Sequence, residues 1–319
     1  MRKVLLSTLL LCTAFIYKVS AQQEPVISQY MFNQLAYNPG FAGSREAICA
    51  SILYRNQWGG FTGPSGEGAP VTQLLSLHSP LNIKGRDRLG VGVNIINDVS
   101  EGFISTMNVM GSLAYRMDLP FSGAKLGIGA NFGFSQKSLD AKWRAPDMSD
   151  PRLPGNSSQT IFDAGAGMYM YNPDWYFGLS ALHLPGGKID WAGTSAYDYK
   201  LATAYYVVGG YNMPLSGNIA LQPTFLYKRD NAKGILDLSA QAVFNQKFYG
   251  GLNFRTGRLY ATSVFGGIYL GNMQFGFAYD VPTAESSVFG STFEVFARYC
   301  FRISIPPPLD IEIDDVRWL

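Results

Sequence analysis

Charged residues are scarce in this sequence. Asp, Glu, Lys and Arg make up 15% of its 319 residues, and the formal net charge is +2. Ordinary soluble domains carry roughly 25% charged residues. The chain also has no basic run, so it lacks the electrostatic footprint of a nucleic-acid-binding protein. We therefore expect no nucleic acid among its partners.

Histidine and the motifs of metal chemistry are equally scarce. The two histidines, His78 and His183, have no orienting acid that sequence spacing identifies, and the HExxH, CxxC and EF-hand patterns are absent. Asp147 and Asp150 share one long loop but are too few ligands to define a calcium site. We expect no catalytic residue, no cofactor and no metal, and therefore no enzyme.

A long apolar run occurs only at the start of the chain. Basic Arg2 and Lys3 precede an apolar run over residues 4–17, and small residues lead to Ala21. This pattern is typical of a signal peptide cleaved after Ala21. A membrane anchor is the alternative, but a spanning helix needs roughly 20 apolar residues. We expect residues 1–21 to be a signal peptide and the mature chain to lie outside the cytoplasm.

Aromatic residues, glycine and strict alternation are abundant instead. Aromatics reach 14% of the chain and there are 35 glycines. Segments such as "GILDLSAQAVFNQ", "NMQFGFAYD" and "AKLGIGANFGFSQ" place apolar side chains on one face and polar residues or glycine on the other. Several keep this pattern for about ten residues, the length of a tilted membrane-spanning strand, whereas sandwich strands average roughly 5–6. The repeat is typical of a transmembrane β-barrel, apolar outside and polar inside.

About 14 such segments can be counted, an even number as bacterial barrels require. The long links follow odd-numbered segments and the tight ones follow even-numbered segments, which is the asymmetry of outer loops and periplasmic turns. We predict an all-β, antiparallel outer-membrane barrel over residues 46–304, a periplasmic tail over 305–319, and both termini in the periplasm. The segments are expected to begin near Glu46, Val71, Arg88, Gly102, Ala124, Ile161, Trp175, Tyr199, Asn218, Gly234, Lys247, Arg258, Asn272 and Thr292.

The stretch "SQYMFNQLAYNPGFAGS" precedes the first strand and does not alternate. Its aromatic side chains are too apolar to leave in water, and its amides can satisfy polar groups without adding net charge. We expect residues 22–45 to pack against the periplasmic mouth as a partial plug or to form part of a partner surface. The candidate residues are Gln29, Tyr30, Phe32, Asn33, Tyr37, Asn38 and Pro39, together with Trp318 of the acidic, apolar tail.

Two cysteines, Cys49 and Cys300, remain after signal-peptide cleavage. In a closed barrel the first and last strands are neighbours, and alternation points both side chains into the lumen. They form a disulfide if the strand register brings their Cβ atoms within ~4.5 Å. Two free, buried thiols are the alternative.

"ISQYMFNQLAYNPGFAGS" and "LYRNQWGGFTGPSGEGAPVTQLLSLHSPL" closely resemble the PorP/SprF family of type IX secretion membrane proteins, as does the final strand "TFEVFARYCFRI". The resemblance implies a non-enzymatic outer-membrane barrel that serves protein export and, in some gliding bacteria, adhesin display. Its implied partners are other secretion components or a secreted adhesin, with outer-membrane lipid around it. A channel for small or hydrophobic solutes is the alternative, and whether the lumen is open or plugged stays open.

Overall fold

A computed structural model describes residues 25–59, 68–83, 86–100, 104–120, 123–140, 155–189, 199–230, 234–256, 261–282 and 290–301. The expected signal peptide and tail lie outside these residues, as do the loop acids Asp147 and Asp150. Within them, the alternating segments form strands β1 (Ile48–Gly59), β2 (Val71–Ile83), β3 (Arg86–Ser100), β4 (Ile104–Leu119), β5 (Ala124–Leu139), β6 (Ser157–Tyr171), β7 (Trp175–Leu182), β8 (Lys188–Ile189), β9 (Tyr199–Lys200), β10 (Ala204–Tyr211), β11 (Met213–Ser216), β12 (Ile219–Arg229), β13 (Gly234–Phe244), β14 (Phe248–Arg255), β15 (Ala261–Leu270), β16 (Met273–Pro282) and β17 (Ser291–Phe301).

Fourteen of these strands close into an antiparallel barrel, which confirms the expected fold and strand number. Each wall strand pairs with its neighbours in sequence order, β10 pairs with β12, and β17 closes the ring against β1. The short β11 continues β10 past Asn212 and also pairs with β12, so it adds no wall strand. A closed ring leaves no wall strand with an unpaired edge, which is the requirement for spanning a membrane with strands.

The expected start of the eighth wall strand at Tyr199 is wrong. That strand, β10, begins at Ala204, and Tyr199 instead pairs with Ile189 in a two-stranded sheet outside the wall. The reason lies in the two residues after β9, because Leu201 and Ala202 are consecutive and both are buried. A strand with one buried face cannot bury two successive side chains, so alternation resumes only at Ala204.

The two faces of the wall differ as alternation predicts. Phe132 and Phe134 point outward and are 57% and 58% exposed, whereas their neighbours Asn131 and Ser135 are buried in the lumen. Exposed aromatic and aliphatic side chains of this kind cover the outer face of most strands. Because such a surface is unfavourable in water, it fits contact with lipid. None of the helical turns among the described residues is long and apolar enough to cross a membrane.

The two ends of the barrel are named here by their connections. At the short-turn end, turns of two or three residues follow β6, β13 and β15, with positive φ at Asn245, Gln246 and Gly271, a conformation common in tight hairpin turns. At the opposite, long-link end, β1 ends, β17 begins and β16 ends. These ends orient everything in the lumen.

Candidate functional site: the plugged lumen

The lumen is occupied by the residues that precede β1. Residues 25–44, called the plug below, fold as three short 3₁₀ turns at Tyr30–Phe32, Gln34–Ala36 and Pro39–Phe41. Every side chain from Val26 to Ser44 is buried. A segment this apolar and aromatic is buried here by lumen-facing side chains of the wall, among them apolar residues such as Leu53, Leu74 and Phe296.

Local sequence explains the last of these turns. Pro39 occupies its first position, where the fixed φ of proline suits a helical turn and its missing N–H costs nothing. The Asn38 side chain accepts a hydrogen bond from the Gly40 N–H at 2.9 Å and so caps the turn. Asn38 also reaches the wall, because its Nδ2 donates to the carbonyl oxygens of Met168 on β6, at 2.8 Å, and Leu179 on β7.

The plug runs along the barrel from the long-link half to the short-turn end. Ser28 contacts Arg55, Asp280 and Glu294, which lie near the long-link ends of β1, β16 and β17. At the other limit, the Gly43 carbonyl accepts a hydrogen bond from Arg116 Nη1 at 2.7 Å, near the short-turn end of β4. The chain then enters β1 from the short-turn end. The plug therefore crosses the lumen, rather than only covering its mouth as the sequence suggested.

A buried charge network holds the part of the plug that lies nearest the long-link end. The Ser28 N–H donates to Glu294 Oε1 at 2.6 Å, the Gln29 N–H donates to Glu294 Oε2 at 3.0 Å, and the Ser28 hydroxyl donates to Asp280 Oδ1 at 2.6 Å. Arg55 pairs with both carboxylates, at 2.5 Å to Glu294 and 2.9 Å to Asp280. Both carboxylates thus have a cation and a plug donor, which is what a buried charge needs.

The network continues along β13 and β14. Arg255 Nε donates to Asp237 at 2.8 Å, and Arg255 Nη2 donates to the Ser28 hydroxyl at 3.2 Å. Asn253 Nδ2 adds a second hydrogen bond to Asp237 at 3.0 Å. Two arginines thus face three carboxylates around one serine. Ser28 therefore connects four strands of the wall to the plug.

Aromatic contacts fill the middle of the lumen. The Phe32 ring stacks on Phe296 at 5.3 Å and meets Tyr249 edge-on at 5.2 Å. The Tyr30 hydroxyl forms a hydrogen bond with Thr224 at 3.0 Å, and burial raises the pKa of the Tyr30 phenol, which keeps it neutral. Each such ring pair contributes roughly 0.5–1.5 kcal/mol beyond the burial of its area.

Glycines in the wall make room for the part of the plug that lies nearest the short-turn end. An added Cβ at Gly129 would lie 2.5 Å from the Pro39 carbonyl oxygen, and one at Gly127 would lie 2.3 Å from the Gly40 carbonyl oxygen. At Gly90 the corresponding distance to the Ala42 carbonyl oxygen is 2.0 Å. Contacts between nonbonded heavy atoms are favourable only near 3.5–4.0 Å. Gly90, Gly127 and Gly129 therefore let the plug backbone rest directly on the wall.

A cavity of about 380 Å³ opens at the short-turn end, beneath the plug. The plug residues Phe32 and Phe41 line the side of the cavity that faces the plug. Aromatic and cationic side chains of the wall and of the β1 entrance form its sides, among them Arg45, Tyr171, Trp175, Tyr176, Tyr269 and Arg298. Its size falls within the range of ligand pockets, about 300–1,000 Å³.

The structure places most of the expected plug residues in the lumen. Gln29 packs over Gly276, and Asn33 accepts a hydrogen bond from Ser76 at 3.0 Å. Tyr37 lies 5.5 Å from Tyr206, ring to ring. Trp318 lies outside the described residues. The wall partners of the plug went unrecognised in the sequence, although charged residues at lumen-facing strand positions were a signal that could have found them: Arg55, Asp237, Arg255, Asp280 and Glu294.

Cys49 and Cys300 face each other across the β1–β17 pair and are joined by a disulfide, with their Cα atoms 4.1 Å apart. The bond lies on the seam where the barrel closes. The first and last strands of the wall are therefore held covalently as well as by their ladder of hydrogen bonds.

The two histidines serve packing and pairing in this geometry. The His78 ring lies 5.1 Å from Phe41 of the plug, edge to face, and His183 Nδ1 lies 2.5 Å from Asp163. No group of three metal-binding side chains occurs in the part of the chain that the structure describes.

A closed fourteen-stranded wall with an apolar outer face and a polar lumen defines an integral outer-membrane β-barrel. Residues 19–299 match the family described as "Type IX secretion system membrane protein PorP/SprF". The chain belongs to that family, as the sequence resemblance predicted. A search of the curated proteins found no match.

Solved structures with partial similarity are outer-membrane transporters and channels. The toluene transporter TbuX of Ralstonia pickettii is 13% identical, with a TM-score of 0.49, over 85% of this chain and 93% of its own. The monoaromatic hydrocarbon channel CymD is 12% identical, with a TM-score of 0.48, over 89% and 95%. The toluene transporter TodX of P. putida is 7% identical, with a TM-score of 0.46, over 85% and 94%. With every score below 0.5, the fold assignment stands on the strand pairing itself.

Proposed function

We propose that this barrel is a non-enzymatic component of type IX protein secretion that acts through contacts with other proteins. Family membership supports the secretion role. The observation that carries the contact role is the plug, because buried chain occupies the lumen from the charge network to the short-turn end. A barrel filled in this way offers its ends and loops to partners rather than an open path to solutes.

The proposed orientation places the short-turn end in the periplasm and the long links outside the cell, as is usual for bacterial barrels. The end of β17, and with it the tail, is then periplasmic. The described residues give no support to a periplasmic N-terminus, since Ser28 lies in the long-link half of the lumen. The proposed partners are periplasmic secretion components at the short-turn end and a secreted protein, such as an adhesin, at the long links.

Affinity purification from cross-linked native outer membrane tests this proposal. The tagged, full-length protein should recover type IX secretion components, identified by mass spectrometry. A tagged outer-membrane barrel of another family, expressed at the same level, serves as the control. Recovery of the same proteins by both barrels would overturn the contact role.

A solute channel is the second candidate, and the aromatic cavity at the short-turn end is the observation that favours it. Planar bilayer recordings of the purified barrel distinguish the two. A plugged export component should show no steady conductance, whereas a channel should conduct or should bind a small apolar solute. Stable single-channel currents from the unmodified protein would favour the second candidate.

A further inference from the structure

The cavity at the short-turn end contains two arginines without a carboxylate partner. Among the described residues, neither Arg45 nor Arg298 forms an ion pair. Arg298 donates to the Phe32 carbonyl oxygen at 3.3 Å and to the Gln274 side chain, and both acceptors are neutral. Arg45 lies over the Phe41 ring at 5.9 Å. Of the cavity's lining residues, only Asp174 is acidic, so the lining is net cationic.

The arginines of this cavity differ from those in the long-link half of the lumen. There, each arginine is matched by carboxylates at 2.5–2.9 Å. The arginines of the cavity face a space of about 380 Å³ walled by tyrosine and tryptophan. Guanidinium groups beside aromatic rings suit an acidic peptide that also carries apolar side chains, because both kinds of contact are then satisfied together.

The tail of this chain has that chemistry and starts at the same end. β17 ends at Phe301, three residues after Arg298. The stretch "DIEIDD" over residues 310–315 has four acids, two isoleucines and no cation. Asp310 lies nine positions after Phe301, which is up to about 30 Å of extended chain. A fourteen-stranded barrel is roughly 30 Å across, so the acids can reach any part of this end.

We propose that residues 310–315 bind in this cavity, with their carboxylates at Arg45 and Arg298 and their isoleucines against the tyrosine wall. The occupant is a segment of the same chain, so its effective concentration is high without any partner. This inference does not depend on the role in secretion, since it concerns only what fills the cavity.

Photo-cross-linking within the full mature chain tests the inference. The variant Tyr176→p-benzoylphenylalanine places the probe in the cavity wall, and Tyr171→p-benzoylphenylalanine is a second position if the first variant fails to form a barrel. Mass spectrometry of the irradiated protein should find intramolecular cross-links to residues 309–318. Tyr205→p-benzoylphenylalanine is the matched control, because Tyr205 points outward and is 55% exposed. Cross-links to another protein, or none to the tail, would overturn the proposal.

Charge variants test the recognition itself. Asp310→Asn, Glu312→Gln, Asp314→Asn and Asp315→Asn, combined in one chain, should reduce the tail cross-link about fivefold or more, since a solvent-accessible ion pair contributes up to ~1 kcal/mol. Arg45→Glu should reduce it similarly, while heat-modifiable migration shows that the barrel is intact. In a chain truncated after Ile305, a synthetic peptide of residues 306–318 should restore the cross-link. An unchanged cross-link in the charge variants would rule out carboxylate recognition.

Discussion

At the scale of single residues, buried charge is the feature that fixes the plug. Arg55 has only 3% of its side-chain surface exposed and pairs with Asp280 and Glu294, which are equally buried. Removing one member of such a group leaves a charge without a partner, and the cost exceeds what the intact pair contributes. Substitutions in the network should therefore differ sharply from substitutions of surface charges.

Arg55→Gln should lower the free energy of unfolding by about 3–5 kcal/mol, because Asp280 and Glu294 lose their nearest cation. Ser28→Ala should cost less, about 1–3 kcal/mol, since it removes one hydroxyl from the same network. Guanidinium unfolding in lipid vesicles measures both. Arg229→Gln is the matched control, because Arg229 is exposed at the end of β12, and its effect should stay within about 0.5 kcal/mol. Equal effects of Arg55→Gln and Arg229→Gln would contradict the role given to the network.

Gly129→Ala should displace the plug, because the new Cβ would meet the Pro39 carbonyl at 2.5 Å. The expected result is faster chymotrypsin cleavage within residues 30–41 while the barrel remains intact. Gly111→Ala is the control, since its Cβ would come no closer than 3.7 Å to any other group. A plug that stays protected in Gly129→Ala would show that the wall gives way instead.

At the scale of elements, the plug is a buried segment even though its turns are only three residues long. In the unmodified protein, chymotrypsin should leave Tyr30, Phe32 and Tyr37 uncut under conditions that cleave the denatured chain within minutes. The physical reason is that cleavage requires local unfolding, which here would expose a buried aromatic segment to water. Rapid release of this segment from a barrel that stays whole would show that it is mobile, and the plug would be discarded.

The β1–β17 seam carries its own prediction. Alkylation of the denatured, unreduced mature protein should label neither Cys49 nor Cys300, and prior reduction should expose both. Reduction should also lower the thermal midpoint. A bond across a sequence separation of 251 residues restricts the unfolded chain and so stabilises the folded state by roughly 2–4 kcal/mol. The Cys49→Ser and Cys300→Ser double variant, which must show the same loss without a reductant, is the control. Two labelled thiols before reduction would exclude the bond.

Strand positions were readable from the sequence because alternation is a local signal. Four strands begin at the expected residue, because the alternation of apolar and polar side chains starts there: Val71, Ala124, Trp175 and Gly234. The lumen contacts could not be read in the same way. Glu294 meets Ser28 across 266 positions, and that contact depends on the register of every strand between them. Composition indicated that the plug is buried, but not which wall residues bind it.

At the scale of the whole molecule, closure of the barrel is the dominant property. The mature protein should migrate faster in a detergent gel when unheated than after boiling, because a closed ladder without free edges resists detergent until it is melted. Densitometry over a temperature series measures the transition, and the reduced sample should convert at a lower temperature. Identical migration of heated and unheated samples would contradict the closed wall.

The contacts between the plug and β17 also constrain how the protein is made. Glu294, Phe296 and Arg298 of the last strand all contact plug residues, which are synthesised long before that strand. The plug cannot make these contacts until β17 has been synthesised, and a ring already closed would hinder its entry. Insertion of the plug and closure of the ring are therefore expected to be one concerted, slow event, as for other folds dominated by distant pairings. A nascent barrel arrested before β17 would leave the aromatic side chains of the plug unprotected. Quality control of this protein should therefore act at the step in which the last strand is added.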